Sequence, residues 1–459
     1  MSGKDQNAVA SLEMLPPEIL LPIVTSLPGL DTLWSLMTAS PNVWRLFNNY
    51  ALTITEGIIS GPNSILYERI QELVRGFILV RAKTLPFKDL NEFKTQFLYG
   101  MVYDKQKDEK SMTLGPGILF ASIVPVDVSR SVVATACHLS ALSQGCLASY
   151  LASFKEIKPP QASHPLFSRL SQIPSCFKID SETVKVVDVG QPRWTEEMRA
   201  LRAMWTIQLV GDMKRLDKET WSKEDIDMLQ KMHTARFGSS VDSWVKAQEI
   251  RSAMDYLTTL EDTMQGHYYR LPMPPLATKR NRWITAERKT FRSAASAVIP
   301  KPLRRRRVPE LRMHRESAST TVLNEDNIWE RVEPDLDRES VGLFNWGLLT
   351  DQDKSLVYGA KFDSFRRLGF AFWDKKRLSL AGLANGIHGA SYVYPPSFHL
   401  FALETILPAD EFATIKAEDL QRPLVLNAPM PPLLPGMSMA RSRHLPNCRP
   451  GNPRPAPPS

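Results

Sequence analysis

The fold of this chain is decided near its N-terminus by the stretch Leu15-Pro16-Pro17-Glu18-Ile19-Leu20-Leu21-Pro22-Ile23-Val24-Thr25-Ser26-Leu27-Pro28. Every fourth residue in it is apolar, and Leu15, Ile19, Ile23 and Leu27 share the spacing of one helical face. The two prolines at the start suit a first helical turn, where a missing N–H breaks no hydrogen bond. The stretch therefore predicts an amphipathic helix that ends at Leu27-Pro28-Gly29.

Two more short helices are predicted directly after the first. Asp31 can cap the second helix, and Ser40 and Pro41 can serve as the cap and first residue of the third. Three helices of this size bury little apolar surface by themselves, so we expect their leucines to pack against a partner. The alternative, that they pack on the next helices of the same chain, remains open at this point.

These three helices resemble the F-box in the divergent form found in fungal F-box-like proteins. The resemblance rests on the opening Leu15-Pro16-Pro17-Glu18-Ile19-Leu20 and on the order of apolar residues up to Phe47. Residues 194–209 and 365–378 also resemble stretches of large fungal F-box-like proteins. The family implies a partner, the Skp adaptor subunit of a cullin RING ubiquitin ligase. By resemblance, the residues that would face it are Leu15, Pro16, Ile19, Leu20, Ile23, Leu27, Leu36, Val43 and Trp44.

Apolar residues at helical spacing continue through residues 60–270 and predict an irregular, all-helical body there. Thr195 is expected to cap one of its helices. The buried stripe of that helix would be formed by Met198, Leu201, Trp205 and Leu209. Residues 184–187 suggest one short strand. The expected fold class is mainly α, with an F-box-like domain at residues 12–50 and a smaller C-terminal helical region at 326–425.

Two parts of the chain are expected to be disordered. Residues 271–325 form a basic linker that contains proline and serine, and residues 429–459 form a tail with ten prolines. Residues 279–315 carry 13 Lys and Arg against 2 Glu, and the tail adds four Arg and no acid. The net charge is +8, so the rest of the chain holds 8 − 11 − 4 = −7. The net positive charge of the chain therefore comes from the linker and the tail.

The run Lys301-Pro302-Leu303-Arg304-Arg305-Arg306-Arg307 resembles a monopartite nuclear import signal. Lys301, Arg304, Arg305, Arg306 and Arg307 would be its contact residues. The alternative is a solvated linker that touches phosphate or nothing. Because only Trp283 and Phe291 interleave the basic residues, single-stranded nucleic acid is not the expected partner. The expected location is cytoplasmic, nuclear or both.

The sequence offers little that would carry out catalysis. It has no phosphate-binding glycine loop and no Gly-x-Ser-x-Gly motif. Cys137, His138 and Cys146 are the nearest approach to a metal cluster, but nine residues separate the two cysteines within one predicted helix. We therefore expect no cofactor and no metal. No uninterrupted run of 18 apolar residues and no N-terminal signal peptide is found, so no membrane association is expected.

Together these features favour a non-enzymatic adaptor that recruits an unknown protein substrate for ubiquitin-dependent degradation. A rival hypothesis is a structural or signalling scaffold in which a degenerate F-box packs internally. Pro22 supports the rival, because a proline inside the first helix is expected to kink it at a cost of about 3 kcal/mol. A third hypothesis is a nuclear protein that contacts nucleic acid through residues 279–315.

Overall fold

A computed structural model describes residues 12–98, 114–157, 190–216, 221–231, 244–260, 362–374, 377–378 and 406–421. The predicted mainly α fold class is confirmed, since these residues are 75% helical and contain no strand. The expected strand at 184–187, the basic linker at 271–325 and the proline-rich tail at 429–459 lie outside the described residues. The described residues up to Phe412 belong to one compact unit, and the described residues from Ala413 to Gln421 belong to a second.

Eleven α-helices occur in the described residues. In chain order they are α1 Pro17–Thr25, α2 Leu30–Ala39, α3 Pro41–Ser60, α4 Glu68–Arg81, α5 Leu90–Glu92, α6 Val126–Lys155, α7 Trp194–Met213, α8 Lys223–Lys231, α9 Trp244–Leu260, α10 Asp363–Arg366 and α11 Ala409–Gln421. Short 3₁₀ turns lie at Leu12–Met14 and Ile118–Ala121, and a π-helical stretch, Phe93–Leu98, follows α5.

The three N-terminal helices form where the sequence predicts them, but one cap and the ends of α1 and α3 differ from the prediction. Ser40 caps α3 as expected, its hydroxyl accepting the Val43 N–H at 3.2 Å. Gly29, and not Asp31, is the N-cap of α2, and Asp31 lies in its first turn. Helix α3 extends to Ser60 and changes direction at Tyr50, whose φ of −129° and ψ of 29° leave the helical region. Helix α1 continues through Pro22 to Thr25.

Helices α2 and α3 pack against the rest of the chain as well as against each other. Both contact α6, a 30-residue helix. Leu33, Met37 and Phe47 are buried. The Arg130 guanidinium of α6 lies 5.1 Å from the centre of the Trp44 ring and donates to the Asn48 side chain at 2.9 Å. The N-terminal helices and the body therefore share one core.

Helix α7 lies at the centre of that core and packs against α4, α6 and α9. Every residue from Thr195 to Met213 is buried, so the predicted stripe is only one part of a helix that is enclosed on all sides. Its N-cap is Arg193, whose N–H donates to the Glu196 carboxylate at 2.8 Å. Thr195 is thus not the cap, and its buried hydroxyl has no hydrogen-bond partner in the described structure.

Residues 362–374 of the predicted C-terminal region pack on this same body. Phe365, Phe370, Phe372 and Trp373 are each 0% exposed. Phe154 of α6 makes edge-to-face contacts with the rings of Phe370 and Trp373, at centroid distances of 6.1 and 5.8 Å. Residues 362–374 therefore belong to the core of the helical body, since buried aromatic side chains of this size contribute a large apolar area.

A buried ion pair joins α3 to α4. The Arg75 guanidinium donates to the Glu56 carboxylate at 2.9 Å and also to the Leu114 carbonyl at 3.0 Å. Its side chain is 1% exposed and that of Glu56 is 6% exposed. The Ser60 hydroxyl donates to the same carboxylate. A charge this deep is tolerated only because its partner and hydrogen bonds are in place.

Replacing Glu56 by alanine is expected to lower the free energy of unfolding by about 3–5 kcal/mol, because Arg75 stays buried without its carboxylate. Asp127→Ala is the matched control: it removes the carboxylate of a 3.0 Å pair with Arg130 in which the Asp127 side chain is 87% exposed. That control should change the same quantity by less than about 1 kcal/mol. Equilibrium urea unfolding measures both, and equal losses would contradict the prediction.

Candidate partner-binding surface

Helix α1 carries an outward apolar face that the described structure leaves uncovered. Ile19 is 53% exposed and Ile23 is 41% exposed, one helical turn apart. Pro16 and Pro22 are exposed beside them. Met14, in the 3₁₀ turn before the helix, is 81% exposed. We call these five residues the α1 face. Large apolar residues that cluster on one surface are typical of interaction sites.

The α1 face is held in place from both ends. At the start, the Asn42 side chain donates to the Glu13 carbonyl at 2.5 Å, which fixes the turn that carries Met14. At the end, the Asn63 side chain donates to the Ser26 carbonyl at 3.0 Å, and the Ile65 N–H donates to the Pro28 carbonyl at 2.8 Å. The face is therefore presented by a helix whose flanking turns are tied to α3 and to the approach to α4.

The nine residues expected to face a partner are not all on this surface. Leu20 is 2% exposed and Val43 is 0% exposed, so both lie in the core. This differs from the expectation, because the apolar stripe of α1 is wide enough to cover two faces and Leu20 belongs with Val24 on the inner one. Of the nine, Pro16, Ile19 and Ile23 are exposed.

The remaining four predicted residues are half-buried: Leu15, Leu27, Leu36 and Trp44. Trp44 already makes the cation–π contact with Arg130 described above. The proposed import residues, Lys301 and Arg304 to Arg307, lie outside the described residues. Sequence reasoning did not select Met14, because it precedes the helix and has no place in the helical spacing. The sequence pattern marks Pro22 only as a residue expected to kink α1, and does not place it on an exposed surface.

None of the five residues of the α1 face is charged, and two exposed acidic residues, Glu13 and Glu18, stand next to them in the sequence. The face therefore presents apolar side chains with carboxylates beside them. A surface of this composition suits the apolar side chains of another protein better than a metabolite.

Two groups elsewhere in the described residues that could carry chemistry, Cys146 and Tyr150, are buried, whereas Cys137 and His138 are half-buried. Burial raises the pKa of the Cys146 thiol well above its ordinary value, so the thiol stays protonated and is a poor nucleophile. Burial likewise raises the pKa of Tyr150, whose hydroxyl donates to the Ser252 carbonyl at 2.7 Å. Within the described ranges, no group of three His, Cys, Asp or Glu residues is placed to hold a metal ion.

The most concentrated charges form a closed cluster at the start of α7. The Glu196 carboxylate accepts from Arg377 at 2.8 and 2.9 Å and from the Asp374 N–H at 3.0 Å. Arg193 pairs with the Asp374 carboxylate at 2.9 Å. Burial, followed by the nearby Asp374, raises the pKa of Glu196, while Arg377 opposes the shift. Because Glu196 is 0% exposed, its carboxylate is out of reach of a substrate and serves to join α7 to Asp374 and Arg377.

Helix α6 is long and apolar enough to cross a membrane by length and composition alone. Half of its most apolar window is buried inside the structure. It contacts α2, α3, α4, α7 and α9, which is the environment of a core helix.

No protein-family model, curated protein or solved structure matches this chain.

Leu20→Asp is expected to unfold the N-terminal helices, because it places a carboxylate in the core. Ile19→Asp and Ile23→Asp, which use the same substitution on the exposed face, should each change the free energy of unfolding by less than about 1 kcal/mol. Thermal unfolding followed by circular dichroism separates the two classes. If Ile19→Asp were as damaging as Leu20→Asp, the α1 face would not be exposed in solution.

Proposed function

We propose that this protein is a non-enzymatic adaptor whose N-terminal helices bind the Skp subunit of a cullin RING ubiquitin ligase. The observation that carries the proposal is the α1 face, where Ile19 and Ile23 stand exposed on the helix whose sequence resembles the start of an F-box. A substrate protein, bound elsewhere on the helical surface, would be held near the conjugating enzyme of the ligase. Proximity alone would raise the effective concentration of its lysines.

The energetics of the α1 face support a partner of this kind. Because only 53% of Ile19 and 41% of Ile23 is still exposed, each would contribute roughly half of the 1.5–3 kcal/mol expected for burying a fully exposed isoleucine, or about 1 kcal/mol. Pro16, Pro22 and Met14 would extend the same contact. Leu20 and Val43 are left out of the proposed interface, because they are already buried in the protein itself.

A scaffold of structural or signalling function is the second candidate, and a specific observation favours it. Helices α2 and α3 pack against α6, so two of the three N-terminal helices already have partners inside the chain. Leu36 and Trp44 are half-buried for the same reason. In a scaffold, the α1 face would bind a protein other than a ligase subunit, or a further segment of this chain.

The adaptor proposal is tested by co-purification of the full chain with recombinant Skp adaptor. The wild type is expected to bind, and the double variant Ile19→Asp, Ile23→Asp is expected to raise the dissociation constant at least about 100-fold, since it removes two buried apolar contacts. Isothermal titration calorimetry measures the change.

Met228→Asp is the matched control, because Met228 is also 53% exposed but lies on α8. It should leave the affinity unchanged. A wild-type chain that is folded, as shown by cooperative unfolding, and yet does not bind the adaptor would reject the adaptor function in favour of the scaffold. Loss of binding in Met228→Asp would show that the effect is not local to the α1 face.

A further inference from the structure

Residues 362–374, together with Arg377 and Leu378, contact the helical body through aromatic and charged side chains and through two backbone groups, the Phe372 carbonyl and the Asp374 N–H. We call them the docking segment. It contains the single turn of α10, Asp363–Arg366, and its residues Arg377 and Leu378 are also helical. It has a turn at Gly369, whose φ is +78° and whose missing Cβ would come within 2.7 Å of the Trp373 ring and 2.8 Å of the Tyr150 side chain. Only glycine fits this turn without strain.

Aromatic side chains provide the apolar part of the contact. Phe372 lies 5.8 Å from the Tyr150 ring, and Trp373 lies 5.8 Å from the Phe154 ring. Both partners belong to α6, so the docking segment covers one end of that helix. The four buried aromatics and Leu378 are all 0% exposed, which gives the segment the anchors typical of the centre of a protein interface.

Charged side chains provide the specificity of the contact. Arg377 makes two hydrogen bonds with Glu196 and donates to the Gln191 carbonyl at 2.9 Å. Arg366 donates to the Gln248 side chain at 2.7 Å. In the opposite direction, Arg199 of α7 donates to the Phe372 carbonyl at 2.9 Å. The acidic and amide groups of α7 and α9 are thus matched to the arginines of the segment.

Sequence distance separates the segment from its receptor. Residues 261–361, which are 101 positions, lie between the end of α9 and Phe362. The Arg377–Glu196 and Arg193–Asp374 contacts each join residues 181 positions apart. None of the anchors just described is a contact between chain neighbours, so the fit depends on the side chains that meet and not on the covalent connection.

From this we propose that α6, α7 and α9 form a receptor groove for the docking segment. We propose that the groove makes the same side-chain contacts with this segment when the segment belongs to a second copy of the chain. The ligand class is a peptide that carries buried aromatic residues followed by an arginine. The proposal is independent of the adaptor function, because it does not involve the α1 face.

The experiment uses the full chain with a specific protease site inserted after Ser319. After complete cleavage, the fragments 1–319 and 320–459 are expected to co-elute on size exclusion as one folded particle. Two cleaved preparations, one with an affinity tag at its C-terminus and one with a distinguishable N-terminal fragment, are then mixed. Recovery of the tag is expected to bring down the N-terminal fragment of the other preparation. Separate elution, precipitation on cleavage, or no exchange after prolonged incubation would overturn the proposal.

Variants identify the contact. Arg377→Ala is expected to raise the dissociation constant of the cleaved fragments at least about 100-fold, since Glu196 is left buried without its guanidinium. Arg367→Ala is the matched control, because Arg367 donates to the Ile406 carbonyl at 2.8 Å and both residues belong to the C-terminal fragment. It should leave the fragment affinity unchanged. Equal weakening by the two variants would show that the association is not made through the groove.

Discussion

The structure depends on one constraint, which is that α7 is enclosed on every side and yet carries charged residues. A buried charge is costly unless an opposite charge and hydrogen bonds surround it. Glu196 meets this requirement with Arg377, Arg202 with Glu249 at 2.8 Å, and Asp212 with Arg81. The partners come from 181, 47 and 131 positions away in the sequence. The helix therefore fixes the position of α4, α9 and the docking segment at once.

We expect this arrangement to favour one packing of the helices over its rivals. Apolar attraction is non-directional, whereas a displaced Arg377 would leave Glu196 buried and unpaired. The aromatic contacts of Phe154 and Tyr150 with the docking segment supply attraction, and the ion pairs select the register. Arg75 provides a similar directional contact, since its guanidinium links α4 to Glu56 of α3 and to the Leu114 carbonyl. Charged contacts thus define how the separate helices meet.

Much of this fold could be predicted from the sequence, because helical spacing is a local property. The spacing gave the three N-terminal helices, and Ser40 was identified as a cap because its oxygen reaches the Val43 N–H only three residues on. The caps at Asp31 and Thr195 were wrong, since Gly29 and Arg193 stand just before them. The full burial of α7 could not be predicted. Glu196, Arg199 and Arg202 would normally mark a solvent-exposed face, and their partners lie too far away in sequence to be paired by inspection.

The candidate surface shows a second limit of local reasoning. The stripe of α1 contains two apolar faces, and periodicity does not say which one turns inward. Packing decides, because Leu20 and Val24 fill the space above α3 while Ile19 and Ile23 point away from it. The inner face explains why the helix is stable in this chain. The outer face contributes less to that stability, because about half of Ile19 and Ile23 stays exposed, and a helix that only had to fold could carry polar residues there.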